Sequence, residues 1–482
     1  MIADLKPYSS YKPSGVPWLG KVPEHWAILP HRAVFNEVKE RDHPHEQMLS
    51  VTITKGVIKQ RALLEGSSKK DSSNQDKSAY KLVCPGDIAY NKMRAWQGAV
   101  GASDLRGIVS PAYVVVRLRD ENNPRYFHHL FRTPAFAKEA ERWSYGITSD
   151  MWSLRPEHFK MIYGCLPPPL EQAAIVRFLD HADRRIRRYI RAKQKLIALL
   201  NEQKKAIIHR AVTRGLDPNV RLKPSGVEWL GDVPEHWEVL QVGHIAAVGN
   251  GSTPSRGNMG YWADGTYPWL NSGSVNAGTI TRAEQFVTET ALRECHLPRV
   301  PAGSVLVAIT GQGKTRGTAA VLTIEATINQ HIAFIKPRNH GRTASPEYLR
   351  AFLTAAYFEL RRLSDDAGST KGALTCEDLR HFRVILPPLD EQERLVCSLM
   401  EKTSQIEGAI ATTHREIDLL REYRTRLIAD VVTGKLDVRE AAARLPEEEE
   451  EPEPLVDAEV LAESDEDGEG ADLDTAPEET EA

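Results

Sequence analysis

Leu166–Asp217 reads LPPPLEQAAIVRFLDHADRRIRRYIRAKQKLIALLNEQKKAIIHRAVTRGLD, and Leu386–Asp437 reads LPPLDEQERLVCSLMEKTSQIEGAIATTHREIDLLREYRTRLIADVVTGKLD. A shift of 220 aligns the two copies without a gap, and the apolar positions coincide while the others differ freely. Ile175, Leu179, Ile186, Ile190, Ile197, Leu200 and Ile207 stand opposite Leu395, Leu399, Ile406, Ile410, Ile417, Leu420 and Leu427. The steps of 4, 7, 4, 7, 3 and 7 are those of one stripe along a coiled-coil helix. Each copy opens with Pro-Pro and then Glu-Gln, which suits a first helical turn, and closes near glycine, at Gly215 and Gly434. Some 40 helical residues at 1.5 Å each make a rod of roughly 60 Å that cannot hide its stripe alone. Matched length and register predict that the two helices pack on each other; burial of each in its own domain is the alternative.

A second repeat precedes each helix. KPSGVPWLGKVPEHW at Lys12–Trp26 returns as KPSGVEWLGDVPEHW at Lys223–Trp237, shifted by 211. Trp18, Trp26, Trp229 and Trp237 lie among Gly and Pro, so each copy reads as an ordered loop docked on apolar surface. His25 and His236 have no second ligand at metal spacing and read as structural. The variable regions Ala27–Cys165 and Glu238–Ile385 differ in length by nine and share little outside their ends. A repeated frame around unlike contents suggests two sockets of different specificity. The N-terminal loop completes the circle, which predicts a pseudo-two-fold body with its termini close together.

Within the regions, Met48–Thr54, Asp87–Tyr90, Ala112–Leu118, Ser304–Thr310 and His331–Lys336 read as strands. Arg125–Arg142, despite Pro134, and Pro346–Leu363 read as helices. A mixed α/β fold is expected.

The 482 residues suffice for two or three domains. No run of 18 apolar residues occurs and Met1–Ser10 lacks a signal-peptide core, so a cytoplasmic location is expected. Five scattered cysteines without a C-x-x-C pair suit reduced thiols and no metal site. The net charge of −4 hides an asymmetry: Pro446–Ala482 carry 18 acidic residues and no basic one. Without them 62 basic residues face 48 acidic ones, leaving +14, a balance that suits a polyanionic partner. The acidic segment is expected to be disordered and to aid solubility, with masking of stray nucleic acid as a second reading.

AITGQGKT at Ala308–Thr315 approaches a phosphate-binding P-loop, with Ala in place of the first Gly. Such a loop must open a helix, whereas RGTAAVLTI, with Gly317 and β-branched residues, predicts another strand. A hairpin loop carrying Lys314, Thr315 and Arg316 to a backbone phosphate is the better reading. Other polar and aromatic clusters suit DNA contact. In the first region these are Asn91, Lys92, Arg94, Trp96 and Gln97, with Trp143, Tyr145 and Ser149. In the second they are Ser252, Thr253, Arg256, Asn258, Tyr261 and Trp262, then Asn271 and Ser272, then Ser369, Thr370 and Lys371. Arg, Lys, Asn and Gln read base edges, and Ser and Thr hold phosphates; the alternative for each is a solvated loop. No catalytic set is visible: no Asn-Pro-Pro-Tyr loop, no G-x-G loop between strand and helix, and no clustered nuclease carboxylates.

With these pieces assembled, the chain resembles the specificity subunit of type I restriction–modification enzymes over about residues 11–440. The paired LPPPLEQ and LPPLDEQ helices carry the match, with GNGSTPSRGNMGYWADGTYPWLNSG at Gly249–Gly273 and PGDIAYNKMRAWQG at Pro85–Gly98. The resemblance implies a mixed α/β fold of two globular target-recognition domains separated by two long helices in an antiparallel coiled coil. The boundaries would be a docking loop and recognition domain at 1–165, a helix at 166–217, the second loop and domain at 218–385, a helix at 386–437, and an acidic tail at 438–482. It further implies that each domain reads half of a split sequence in double-stranded DNA and that the coiled coil sets the spacer. Implied partners are two methyltransferase subunits and ATP-dependent restriction subunits, with no catalysis and no cofactor in this chain. The competing classes are an ATP-binding enzyme using the Gly311–Lys314 loop, and a spacer with protein-only partners.

Overall fold

The structure is a computed structural model that describes residues 5–64, 76–146, 152–311, 314–338, 343–365 and 372–446. The chain divides into two compact units. Unit 1 comprises Met1–Arg191 with Glu416–Ala482, and unit 2 comprises Ala192–Arg415. The repeated stretches form helices Pro169–Arg214 and Leu389–Val432, and each unit takes half of each. Gly215 and Gly434, at φ +75° and +78°, end them in the left-handed conformation that glycine adopts without strain.

Within each unit the two helix halves run antiparallel, as early residues of one meet late residues of the other. In unit 1, Ile175 and Leu179 share a core with Leu427 and Val431, and Arg424 pairs with Asp183. In unit 2, Ala211 and Val212 share a core with Leu395 and Leu399, and Lys204 pairs with Glu407. Of the fourteen stripe residues, Ile197, Leu200, Ile207, Ile410 and Leu420 are only half-buried and the others are buried.

The Glu-Gln pair at each helix start explains why the frame is duplicated. In unit 1, Glu171 accepts hydrogen bonds from Tyr8 Oη (2.6 Å), Trp26 Nε1 (2.9 Å) and His25 Nε2 (2.7 Å). In unit 2, Glu391 accepts from Trp237 Nε1 (3.0 Å) and His236 Nε2 (2.8 Å). The two histidines thus fasten the docking loops, whose Trp26 and Trp237 are fully buried. Gln172 donates to Pro167 O and accepts from Asn123 N, each at 2.8 Å; Gln392 donates to Pro387 O and accepts from Ser345 N at the same distances. Asn123 and Ser345 cap the helices Pro124–Phe131 and Pro346–Ala355, so one glutamine ties a globular body to each long helix.

Both bodies contain the same antiparallel core sheet. In unit 1 its order is Phe35–Val38, Tyr113–Leu118, Ile88–Asn91, Val100–Ala102. In unit 2 it is Ala246–Asn250, Ile332–Pro337, Ser304–Ala308, Ala319–Leu322, with Thr279–Ile280 added parallel at the edge. The variable regions therefore share more than their ends, which corrects the sequence reading. A strand needs only alternate apolar residues to face a core, so equivalent strands keep few letters in common.

Three further corrections are local. Arg125–Arg142 is two helices, Pro124–Phe131 and Pro134–Arg142, because Pro134 cannot continue a helix and Thr133 caps the second. Pro346–Leu363 likewise divides into Pro346–Ala355 and Tyr357–Asp365. Residues 438–445, expected to open the disordered tail, are ordered: Arg439–Ala443 is helical, with Val438, Ala442 and Leu445 buried in unit 1. Residues 447–482 lie outside the described residues. Among the described residues no helix is long and apolar enough to cross a membrane, and no group of three His, Cys, Asp or Glu gathers as for a metal.

Candidate nucleic-acid interface

Two groups of the expected contact residues, Asn91–Gln97 in unit 1 and Lys314–Arg316 in unit 2, fall on loops that leave equivalent strands of the two sheets, and the others fall on further loops. In unit 1, Ile88–Asn91 leads into a turn and the short 3-10 helix Ala95–Gln97 before the chain returns as Val100–Ala102. Asn91 Oδ1 accepts from Met93 N at 3.0 Å, Trp96 Nε1 donates to Met93 O at 2.9 Å, and Arg94 donates to Gln97 Oε1 at 3.4 Å. The loop is thus pre-folded. Leu154 N donates to Lys92 O at 2.9 Å and brings a second segment alongside. There Trp152 meets Trp96 edge-on at 5.6 Å, and the exposed Tyr145 packs on His158 at 4.9 Å. Trp143 Nε1 is bound by Glu139 Oε1 at 2.9 Å, a structural role. Ser149 lies outside the described residues.

Buried Lys81 donates to Tyr113 O at 2.7 Å, and burial, followed by the charge of Lys92, pulls its ammonium down to about 8.

In unit 2 the equivalent loop joins Ser304–Ala308 to Ala319–Leu322. Leu374 N donates to Ile309 O at 2.8 Å, matching the Leu154–Lys92 link. A strand follows this loop, as the sequence reading expected, so the helix that a P-loop must open is missing. Lys314 is exposed, and its carbonyl accepts from Tyr357 Oη at 2.9 Å. Thr315 is half-buried, whereas Arg316 is 4% exposed and as placed cannot reach a phosphate. Ser369, Thr370 and Lys371 lie outside the described residues.

A second loop of unit 2 runs through Ser252 to Trp262. Ser252 N donates to Ile328 O at 3.1 Å, which fixes the loop to the neighbouring strand end. The Arg256 guanidinium sits 3.9 Å from the Trp262 ring and donates to Gln285 Oε1 at 2.8 Å, so its plane is held before any ligand arrives. Asn258 and Asn271 use their carbonyls on Gly260 N (3.0 Å) and Gly273 N (2.9 Å), with Ser272 opening the 3-10 turn that follows Asn271. Tyr261 Oη donates to Glu294 Oε2 at 2.9 Å. These side chains shape loops first.

A row of polar side chains between the two loops of unit 2 carries no signal in the sequence. Thr253 Oγ1 donates to Gln330 Oε1 (2.5 Å), Gln330 Nε2 lies 3.2 Å from His331 Nε2, and His331 Nδ1 lies 2.7 Å from Thr310 Oγ1. No motif marks Gln330 or His331; only the sheet order brings their turn between the other two loops.

The two units thus share one core-sheet order, and each carries pre-folded polar and aromatic loops. The model of the type I restriction modification DNA specificity domain matches residues 234–411. The specificity subunit of the type I restriction enzyme EcoR124I/EcoR124II of Escherichia coli is 22% identical over 250 residues, 52% of this chain and 55% of that subunit. The match thus spans just over half of that relative. The putative type I restriction enzyme MjaX specificity subunit of Methanocaldococcus jannaschii is 21% identical over 463 residues, 87% of this chain and 96% of that one. A solved chain, from a study of complex assembly and conformational transition of the type I R-M system, covers 86% of this chain and 99% of its own length. Its TM-score is 0.64 at 17% identity, a likeness of fold. Residues 234–411 thus match a type I restriction modification DNA specificity domain, and over most of its length the chain is similar to specificity subunits of type I restriction enzymes.

Proposed function

We propose that this chain recognises a bipartite sequence in double-stranded DNA, each unit reading one half, for methyltransferase and restriction subunits that carry the chemistry. The long helices dock the methyltransferase subunits and set the unread spacer. The chain itself is non-catalytic and needs no cofactor. The observation that carries this reading is the equivalence of the two sheets, whose corresponding loops present unlike residues: Asn91–Gln97 in one, Thr310–Thr315 in the other. One architecture with two chemistries is what two independent half-sites require.

The test is an exchange. Glu238–Ile385 is replaced by the matching region of a relative, and methylated sites are sequenced in cells carrying the complete system. One half of the target should change while the other stays intact. A change of both halves together would refute independent reading by the two units. The ATP-binding alternative has no observation in its favour, since the Lys314 loop runs into a strand.

A further inference from the structure

We propose that Gln330 reads an adenine in the half-site of unit 2, and that Thr253 and His331 are the residues that position its amide. The inference rests on the DNA-reading function proposed above.

The backbone beneath Gln330 is unusually well fixed for an exposed turn. Asn329 is 5% exposed; its N–H donates to Leu270 O at 3.0 Å, and its side-chain oxygen accepts from His331 N at 3.0 Å. Ile309 N donates to His331 O at 2.9 Å, which ties the turn to the loop after Ser304–Ala308. Ser252 N donates to Ile328 O at 3.1 Å, which ties it to the loop on the other side. Gln330 therefore stands between the two loops that already hold the candidate contacts of this unit.

Its side chain is oriented as well as placed. The Thr253 hydroxyl takes one lone pair of Oε1, and in the tautomer that places the ring proton on Nδ1, facing Thr310 Oγ1, His331 Nε2 accepts from one amide hydrogen. One N–H and one lone pair of the amide stay available. A donor and an acceptor on one planar group match the N6 and N7 edge of adenine in the major groove. A flexible glutamine must be ordered on binding; one held by two neighbours is ordered beforehand.

The experiment uses the full chain co-purified with its methyltransferase subunits and a pool of randomised duplex DNA, with bound duplexes sequenced. The unaltered complex should select a bipartite sequence. If it selects none, the DNA-reading function fails, and the assignment of Gln330 falls with it. Given a bipartite selection, Gln330→Ala should reduce preference at one adenine of one half-site by about 5- to 150-fold and leave the other positions unchanged. Gln330→Glu should move that position toward cytosine, whose amino group a carboxylate accepts. Thr253→Val and His331→Ala should lower discrimination at the same position with overall affinity little changed, and Thr253→Ser, which keeps the hydroxyl, should restore it. An unchanged selection in Gln330→Ala, or a uniform weakening at all positions, overturns the proposal. Thermal melting of each variant serves as the control for folding, and Gln330→Met, equal in length, replaces any variant that melts early.

Discussion

The two clamps at the helix starts are copies of one device, yet they are not equally tight. Glu171 is 5% exposed and holds three donors, whereas Glu391 is 21% exposed and holds two. The difference is Tyr8, whose place in the second copy is taken by Asn219. Burial and the neighbouring carboxylate push the Tyr8 hydroxyl well above its ordinary pKa, so it stays a donor, and Arg439 lies over its ring at 5.2 Å. Around Tyr8 two stretches far apart in the chain meet: Lys6 and Asp437 form a β-bridge, in which Asp437 N donates to Lys6 O at 2.8 Å. Unit 2 needs no such seal, because residues 215–222 run covalently from the long helix into the docking hairpin. Where continuity is missing, buried polar contacts take its place.

The sharpest way to break this comparison is to remove the carboxylates. Glu171→Ala strands the buried hydroxyl of Tyr8 and the indole N–H of Trp26 and should cost about 3–5 kcal/mol. Glu391→Ala, at a more open site, should cost about 1–2 kcal/mol. Urea unfolding followed by hydrogen exchange in each unit measures both, and equal losses would show that Tyr8 adds nothing.

A second asymmetry is acid sensitivity. His31 is buried among Phe35, Phe131 and Phe159, and burial holds its ring down to about 3 from the ordinary 6.5; the repeat places Val242 at this position in unit 2. Between pH 6.5 and 3 the unfolded chain binds a proton that the folded ring refuses, so stability falls as pH drops through that window. The slope from this group approaches about 1.4 kcal/mol per pH unit. Unit 1 should therefore lose protection first on acidification, and His31→Val should flatten its slope. An unchanged slope in that variant would assign the sensitivity elsewhere.

The smallest effects concern the candidate contact loops. Arg94→Ala and Arg256→Ala should each relax one position, in opposite halves of the target, by about 1–3 kcal/mol of discrimination. Arg256→Lys should lose nearly as much, because an ammonium lacks the plane that stacks on Trp262. Binding selections on both variants decide it, and uniform weakening across all positions would make these residues phosphate contacts instead.

Much of this plan was legible in the sequence because it was written twice. The apolar stripe predicted the helix pairing, and the Trp-containing loops predicted docking, since burial of large apolar groups constrains letters. The equivalence of the sheets was not legible, because Ile88–Asn91 and Ser304–Ala308 need only be apolar and extended. Arg316 reads as an exposed cation beside Lys314 but turns inward beneath the Tyr357–Asp365 helix, where Arg361 donates to its carbonyl at 3.4 Å. Gln330 and His331 carry no signal at all. Their meaning comes from neighbours 77 and 21 residues away in the chain.

The division of the chain also fixes an order of assembly during synthesis. Unit 1 is discontinuous: its core needs Leu427, Val431, Val438 and Ala442, all made after unit 2 is complete. At about 5–20 residues per second, the 224 residues of unit 2 (192–415) occupy the ribosome for roughly 10–45 s. Throughout that interval Ile175, Leu179 and the pocket for the second helix stay uncovered, while unit 2 is free to fold as a continuous stretch. The unit translated first is the one finished last, and it is there that a nascent chain of this protein would call on chaperones.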